Sequence, residues 1–167
     1  KMLIKRITFL IIAVLILFGG NLFAQGGADR KTARELVGVW HASPYVASGM
    51  NDHFQFFADG RFRFNFNGMI LSKRTVSFSG RWKVSGRKLI LTVSEKTVIE
   101  GGRKVESEIS ADGFEIEGGR RVSKRVVPAE KQTRILSAVE QDEIYKMISI
   151  GGVKYWKLSD DPEAYEN

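Results

Sequence analysis

Phe54-Gln55-Phe56-Phe57-Ala58-Asp59-Gly60-Arg61-Phe62-Arg63-Phe64-Asn65-Phe66, followed by Val76-Ser77-Phe78-Ser79-Gly80-Arg81-Trp82-Lys83-Val84, decides the fold. Apolar and polar residues alternate with period two on both sides of Asp59-Gly60. Successive side chains on a strand point to opposite faces, so this pattern describes antiparallel strands with one buried face. Asp-Gly supplies the positive φ angles that a hairpin turn needs.

Turn signals of the same kind recur at Ser85-Gly86, Gly101-Gly102, Asp112-Gly113, Gly118-Gly119 and Gly151-Gly152. Between them the alternation predicts strands over 36–42, 52–58, 61–67, 74–84, 87–99, 103–111, 114–117, 120–127, 144–150 and 153–158. Roughly eight to ten sequential strands can close on themselves and so remove their edges. The expected fold class is therefore all-β, an antiparallel up-and-down β-barrel. Asp29 is placed to cap a short helical turn through Thr32 to Glu35 ahead of the first strand. Pro128 to Glu143 reads either as a helix starting at Pro128 or as a strand around Thr133 to Val139.

The first residues have the layout of an export signal. Lys1, Lys5 and Arg6 form a basic start, Ile7 to Phe18 an apolar core, and Leu22-Phe23-Ala24 a small-residue exit. The apolar core of about 12 residues is short of the roughly 20 that span a bilayer, so cleavage after Ala24 is expected. The order is then a signal peptide over 1–24, a flexible segment over 25–34, one barrel domain over 35–158 and an acidic tail over 159–167. Export predicts a periplasmic or secreted protein. The chain of 167 residues has no cysteine, which excludes a lipid anchor at the cleavage site, disulfides and thiolate metal sites.

The formal charge of +7 falls to +4 without the three leader cations, and what remains is polarised. No acidic residue lies between Asp59 and Glu95, whereas Arg61, Arg63, Lys73, Arg74, Arg81, Lys83, Arg87 and Lys88 all do. On the strands, Arg61, Arg63, Arg81 and Lys83 alternate against buried rings and form a basic outer face. That face either solubilises and protects the sheet or attracts an anionic envelope or host surface. An exported protein would not meet nucleic acid.

Inward positions hold Trp40, Phe54, Phe56, Phe62, Phe64, Phe66, Phe78, Trp82, Leu89 and Leu91, with Val76, Val84 and Val93 beside them. Small barrels either fill with such side chains or hold one small molecule. A lined cavity would bind a small hydrophobic or amphipathic ligand. A filled core would leave the loops and the basic face to do the binding, as in a hydrolase inhibitor or assembly partner.

Catalysis finds no support in the residue types. His41 and His53 are the only histidines, and no nucleophile elbow is present. Asp52, His53 and His41 would hold a metal only if the loop 42–51 folded them together, and a metal needs three or four ligands, so the two histidines read as partly exposed strand-end residues. Glu106, Glu108, Glu115 and Glu117 stand two apart on strands, as a solvent-facing polar stripe does. Neither enzymatic activity nor a cofactor is expected.

Gly38-Val39-Trp40 after a short helical turn resembles the opening signature of lipocalins. With Asp59-Gly60-Arg61-Phe62, Gly80-Arg81-Trp82-Lys83-Val84, Lys88-Leu89-Ile90-Leu91 and Tyr155-Trp156-Lys157-Leu158, the chain from Glu35 to Leu158 resembles the exported bacterial lipocalin-like domains of the calycin-type barrel superfamily. The resemblance implies a binder of small hydrophobic molecules. It also implies that Trp40 packs across the closed end of the barrel beneath an arginine of the last strand, where this chain offers Lys154 and Lys157 rather than an arginine.

Overall fold

The structure, a computed structural model, describes residues 26–44 and 50–164. The leader and its cleavage site lie outside the described residues. The chain is an all-β protein: one helix, α1 (26–36), precedes nine strands of a single antiparallel sheet. The strands are β1 (Gly38–His41), β2 (His53–Phe56), β3 (Arg61–Asn65), β4 (Thr75–Ser85), β5 (Lys88–Glu106), β6 (Phe114–Ile135), β7 (Glu140–Gln141), β8 (Lys146–Ile150) and β9 (Val153–Ser159). Their order across the sheet, β6-β5-β4-β3-β2-β1-β9-β8-β7, is sequential apart from the β1–β9 pairing that joins the two ends of the chain.

The ladder is not closed. After β6 the chain meets β8 through a single bridge, Leu136 to Ile150. Two backbone hydrogen bonds flank it, Ser137 N to Ser149 O at 3.0 Å and Gly151 N to Ile135 O at 2.8 Å.

Helix α1 is longer than the predicted turn and covers most of the segment read as flexible. Asp29 lies inside it, and its carboxylate accepts from Gly86 N at 2.9 Å, tying the helix to the β4–β5 turn. Two of the six predicted turns differ. The Gly101-Gly102 and Gly118-Gly119 pairs do not end strands: Gly101 faces Gly119 within a continuous β5–β6 ladder that resumes at Arg103 and Glu117. The hairpin reverses only at 107–113, where Ser107 N donates to Gly113 O. Glycines opposed in this way bend the two-stranded ribbon rather than reverse it. Gly102 has φ +66, and a Cβ there would come within 2.6 Å of Glu117 O.

No helix starts at Pro128, because β6 runs through Pro128 to Ile135; the alternative strand around Thr133 to Val139 is met only in part, since β6 ends at Ile135, Leu136 makes a single bridge and 137–139 lie outside any strand. A proline lacks the ladder donor and is tolerated on an edge strand or at a bulge. Here it has both, because β6 is the sheet edge and the β5–β6 register shifts at Val93/Glu95, beside it.

The core is the expected ring face. Trp40, Phe54, Phe56, Phe62, Phe64, Phe78, Trp82, Leu89 and Leu91 are buried together with Val93, Leu136, Ile148, Ile150 and Tyr155, and Phe66 is half-buried against them. The opposite face of β1 and β2 is buried as well, which alternation alone does not predict. His41, His53 and Gln55 lie there, and Gln55 Nε2 donates to Pro162 O at 2.8 Å, so the segment after β9 crosses this face.

Candidate functional site

The basic outer face is built on the turn between β2 and β3. Gly60, with φ +81, lets the chain reverse, and its N donates to Phe57 O at 3.0 Å. The turn is pinned from behind by Trp82, whose backbone N donates to Gly60 O at 2.8 Å and whose Nε1 donates to Phe57 O at 3.1 Å. One core tryptophan thus fixes the position of the surface arginines.

Arg61 stands opposite Arg81 across the β3–β4 ladder, and Arg63 opposite Ser79. Like charges directly opposed on a sheet repel. Asp59 offsets this: its carboxylate takes Arg61 N at 2.9 Å and Arg61 Nε at 2.6 Å, while its carbonyl takes Arg81 Nη1 at 2.7 Å. The hydrogen bond from the Arg61 backbone, then that from its guanidinium, holds the Asp59 carboxyl below the usual carboxylate range. Arg61 also lies over the Phe57 ring, 4.7 Å from its centroid.

Between these side chains is an open groove of about 270 Å³ lined by Arg61, Arg63 and Arg81, with Ser79, Ser94 and Gly80 and the edges of Phe57 and Phe62. The lining carries three guanidiniums and, among the described residues, no carboxylate, with Asp59 bound to Arg61 at the margin. Lys83 extends the basic stripe further along β4 without lining the groove. Guanidiniums and hydroxyls together suit an anion that also carries hydroxyl groups, because the planar donors match carboxylate, sulfate or phosphate oxygens.

The interior wall is a mesh of rings in mutual contact. Phe54 packs on Phe56, Phe64 and Tyr155 at centroid distances of 5.1, 4.5 and 5.3 Å, Phe56 on Trp82 at 5.1 Å, and Phe78 on Phe64 and Phe62 at 4.8 and 6.0 Å. Phe66 closes one end against Phe64 and Phe78. Burial pushes the Tyr155 phenol up to about 12.

At the other end Trp40 Nε1 donates to Leu36 O at 2.7 Å, and Lys157 Nζ sits 5.6 Å from the Trp40 ring while donating to Glu35 O at 3.0 Å. Of the two candidate cations on β9, Lys157 takes this place, and Lys154 lies over Trp156 instead.

His41 and His53 are brought together and both are buried, their rings stacked at 5.7 Å. His53 Nε2 meets Asn65 Nδ2 at 3.0 Å, and Asp52 accepts from Asn67 N at 2.8 Å. Among the described residues no group of three or more His, Cys, Asp or Glu side chains is placed to hold a metal ion. Burial, the largest cause, lowers the His53 pKa, helped by the neighbouring His41 and Arg63 and opposed by Asn51 O and Asp52. A neutral buried imidazole contributes stability that is full above the free value of 6.5 and is lost as pH falls from there toward the lowered value. Urea midpoints measured across that interval should fall in the wild type and stay flatter in His53→Gln.

The four glutamates lie on or beside the β5–β6 hairpin; Glu117 pairs with Arg103 at 2.8 Å, and Glu115 accepts from Ser107 Oγ at 3.1 Å. The buried His41/His53/Gln55 cluster went unforeseen, because its cover includes Pro162, 107 residues from Gln55.

These features define an all-β protein built on one antiparallel sheet, with an arginine-lined groove outside and packed rings inside. Comparison of the chain with protein-family models, with curated proteins and with solved structures found no match.

Proposed function

We propose that this protein is a non-catalytic binding protein that engages an acidic glycan through the groove of Arg61, Arg63 and Arg81. The observation that carries the reading is the lining of that groove, three guanidiniums with two serine hydroxyls. A lipocalin-like barrel serves as its scaffold; the sequential strand order, the approach of Leu136 to Ile150 and the placement of Lys157 over Trp40 support that architecture. The leader-like first residues support export, which would put the partner among envelope or host-surface glycans. The second reading is a small apolar or amphipathic ligand among the interior rings; their shared face favours it, and their packing against one another weighs against it.

Binding to a uronate or sulfated polysaccharide, measured by affinity electrophoresis, should weaken steeply between about 0.05 and about 0.5 M salt, because exposed charges are screened beyond about 10 Å at 0.1 M. Reversal of Arg61, Arg63, Arg81 and Lys83 together should abolish it, and Arg63→Glu alone should weaken it with the far-UV spectrum unchanged. Unaltered binding in both variants would overturn the proposal, as would equal binding to neutral dextran. Stoichiometric uptake of an apolar fluorophore with a shift of tryptophan emission would put the interior reading first.

A further inference from the structure

We propose a second binding site, for a short aliphatic monocarboxylate, in the pocket between the β3–β4 loop and the bent β5–β6 hairpin. The hairpin runs far past the core, and its outer half packs on the loop 66–74 rather than on the ring mesh. Met69 O takes Ala111 N at 2.7 Å, Leu71 N donates to Ser110 Oγ at 3.0 Å, and Ile116 N donates to Leu71 O at 3.2 Å. Ser72 Oγ bonds Asp112, and Arg74 Nη1 bonds Gly101 O at 2.7 Å. Beside this contact, at the opposed glycines, the side chains of Ile99 and Ile116 lie within 3 Å of the position a Cβ on Gly119 would take.

Beside this strapping lies a pocket of about 100 Å³ that is partly open to solvent. The wall is apolar at Phe66, Ile70, Leu71, Val76 and Ile99, polar at Asn67 and Thr75, and cationic at Lys73 and Arg121; among the described residues no carboxylate lines it. Lys73 Nζ stands 4.2 Å from the centroid of the Phe66 ring, so the cation is drawn over the apolar wall. Among the described residues no acid pairs with Lys73 or Arg121. Half-buried Lys73 and exposed Arg121 on one wall favour an anion, and the apolar side chains beside them favour a hydrocarbon tail. A cavity of about 150 Å³ holds benzene, so 100 Å³ corresponds to a tail of about four carbons with its carboxylate toward the cations. This site is separate from the arginine groove and independent of it.

Calorimetric titration of the whole protein with pentanoate should show one site with Kd on the order of millimolar, as suits so small a ligand. From acetate to pentanoate, affinity should rise roughly fourfold per methylene and then level off by octanoate. Pentanol and pentylamine, which lack the charge or invert it, should bind at least about tenfold more weakly. Lys73→Gln and Arg121→Gln should each weaken pentanoate severalfold, while Arg63→Glu, in the other groove, should leave it unchanged. Absence of pentanoate binding would overturn the site, as would equal binding of pentanol, continued gain through octanoate, or indifference to both Lys73→Gln and Arg121→Gln. The analogue series on the wild-type protein decides the matter even if a variant fails to fold.

Discussion

Trp40→Ala is expected to lower the free energy of unfolding by about 3 to 5 kcal/mol, the cost of emptying a large buried aromatic site. A typical domain has only about 5 to 15 kcal/mol in total, so the variant stands near the edge of folding. Trp40 is fully buried, and its loss also removes the side-chain hydrogen bond to Leu36 O at the end of α1. Lys157, nearly buried itself, would keep Glu35 O and its 2.5 Å pair with Asp160 but lose the ring beneath it. Urea unfolding followed by circular dichroism measures the change. Lys83→Ala, on the exposed outer face, is the control and should shift stability by less than about 0.5 kcal/mol. A loss below about 1 kcal/mol for Trp40→Ala would mean that the helix and β9 do not close this end of the core.

The second large effect is expected from the smallest substitution. Gly80→Ala would set a methyl against the Thr92 carbonyl oxygen and within 3.0 Å of Ser94 N, both backbone atoms of β5. Neither can swing aside as a side chain tip would, so β4 and β5 must separate where their register already shifts, at Ser79/Gly80. Gly80 does not have a positive φ, so alanine's smaller unfolded-state entropy would favour the variant by up to about 1 kcal/mol. The clash outweighs that gain, since overfilling costs about 1 to 3 kcal/mol and the obstacle here is rigid. A net loss of about 2 kcal/mol in thermal or urea unfolding is the expected result. Because Gly80 also lines the arginine groove, glycan affinity should fall with it. A neutral or stabilising Gly80→Ala would contradict the close β4–β5 approach.

The ring face was legible in the sequence because period-two alternation is a local property: Phe62, Phe64, Phe78, Trp82, Leu89 and Leu91 are buried where their parity puts them. What escaped was set by partners far away in the chain. Gly101-Gly102 and Gly118-Gly119 each look like a turn, and only their mutual opposition makes them a bend. Pro128 looks like a strand end because nothing local says that its side of β6 is a free edge. His41, His53 and Gln55 have the parity of solvent-facing residues, yet Gln55 bonds Pro162 and the cluster is covered. For the candidate sites the same division holds. Arg61, Arg63 and Arg81 could be picked out as an acid-free stripe, but the groove among them needed the register that sets Arg61 against Arg81 and Arg63 against Ser79. The pocket of Lys73 and Arg121 joins residues from the β3–β4 loop and from β6, and no spacing rule links them.

The most direct test of the arginine groove as the binding surface is a backbone and methyl NMR titration of the protein with a short uronate oligosaccharide. The amides of Arg63, Ser79, Arg81 and Ser94 should shift together and saturate, while the methyl groups of Leu89 and Leu91, buried in the core, stay unmoved. Shifts centred on the Leu89 and Leu91 methyls with the groove amides silent would contradict the account and place the ligand inside the sheet.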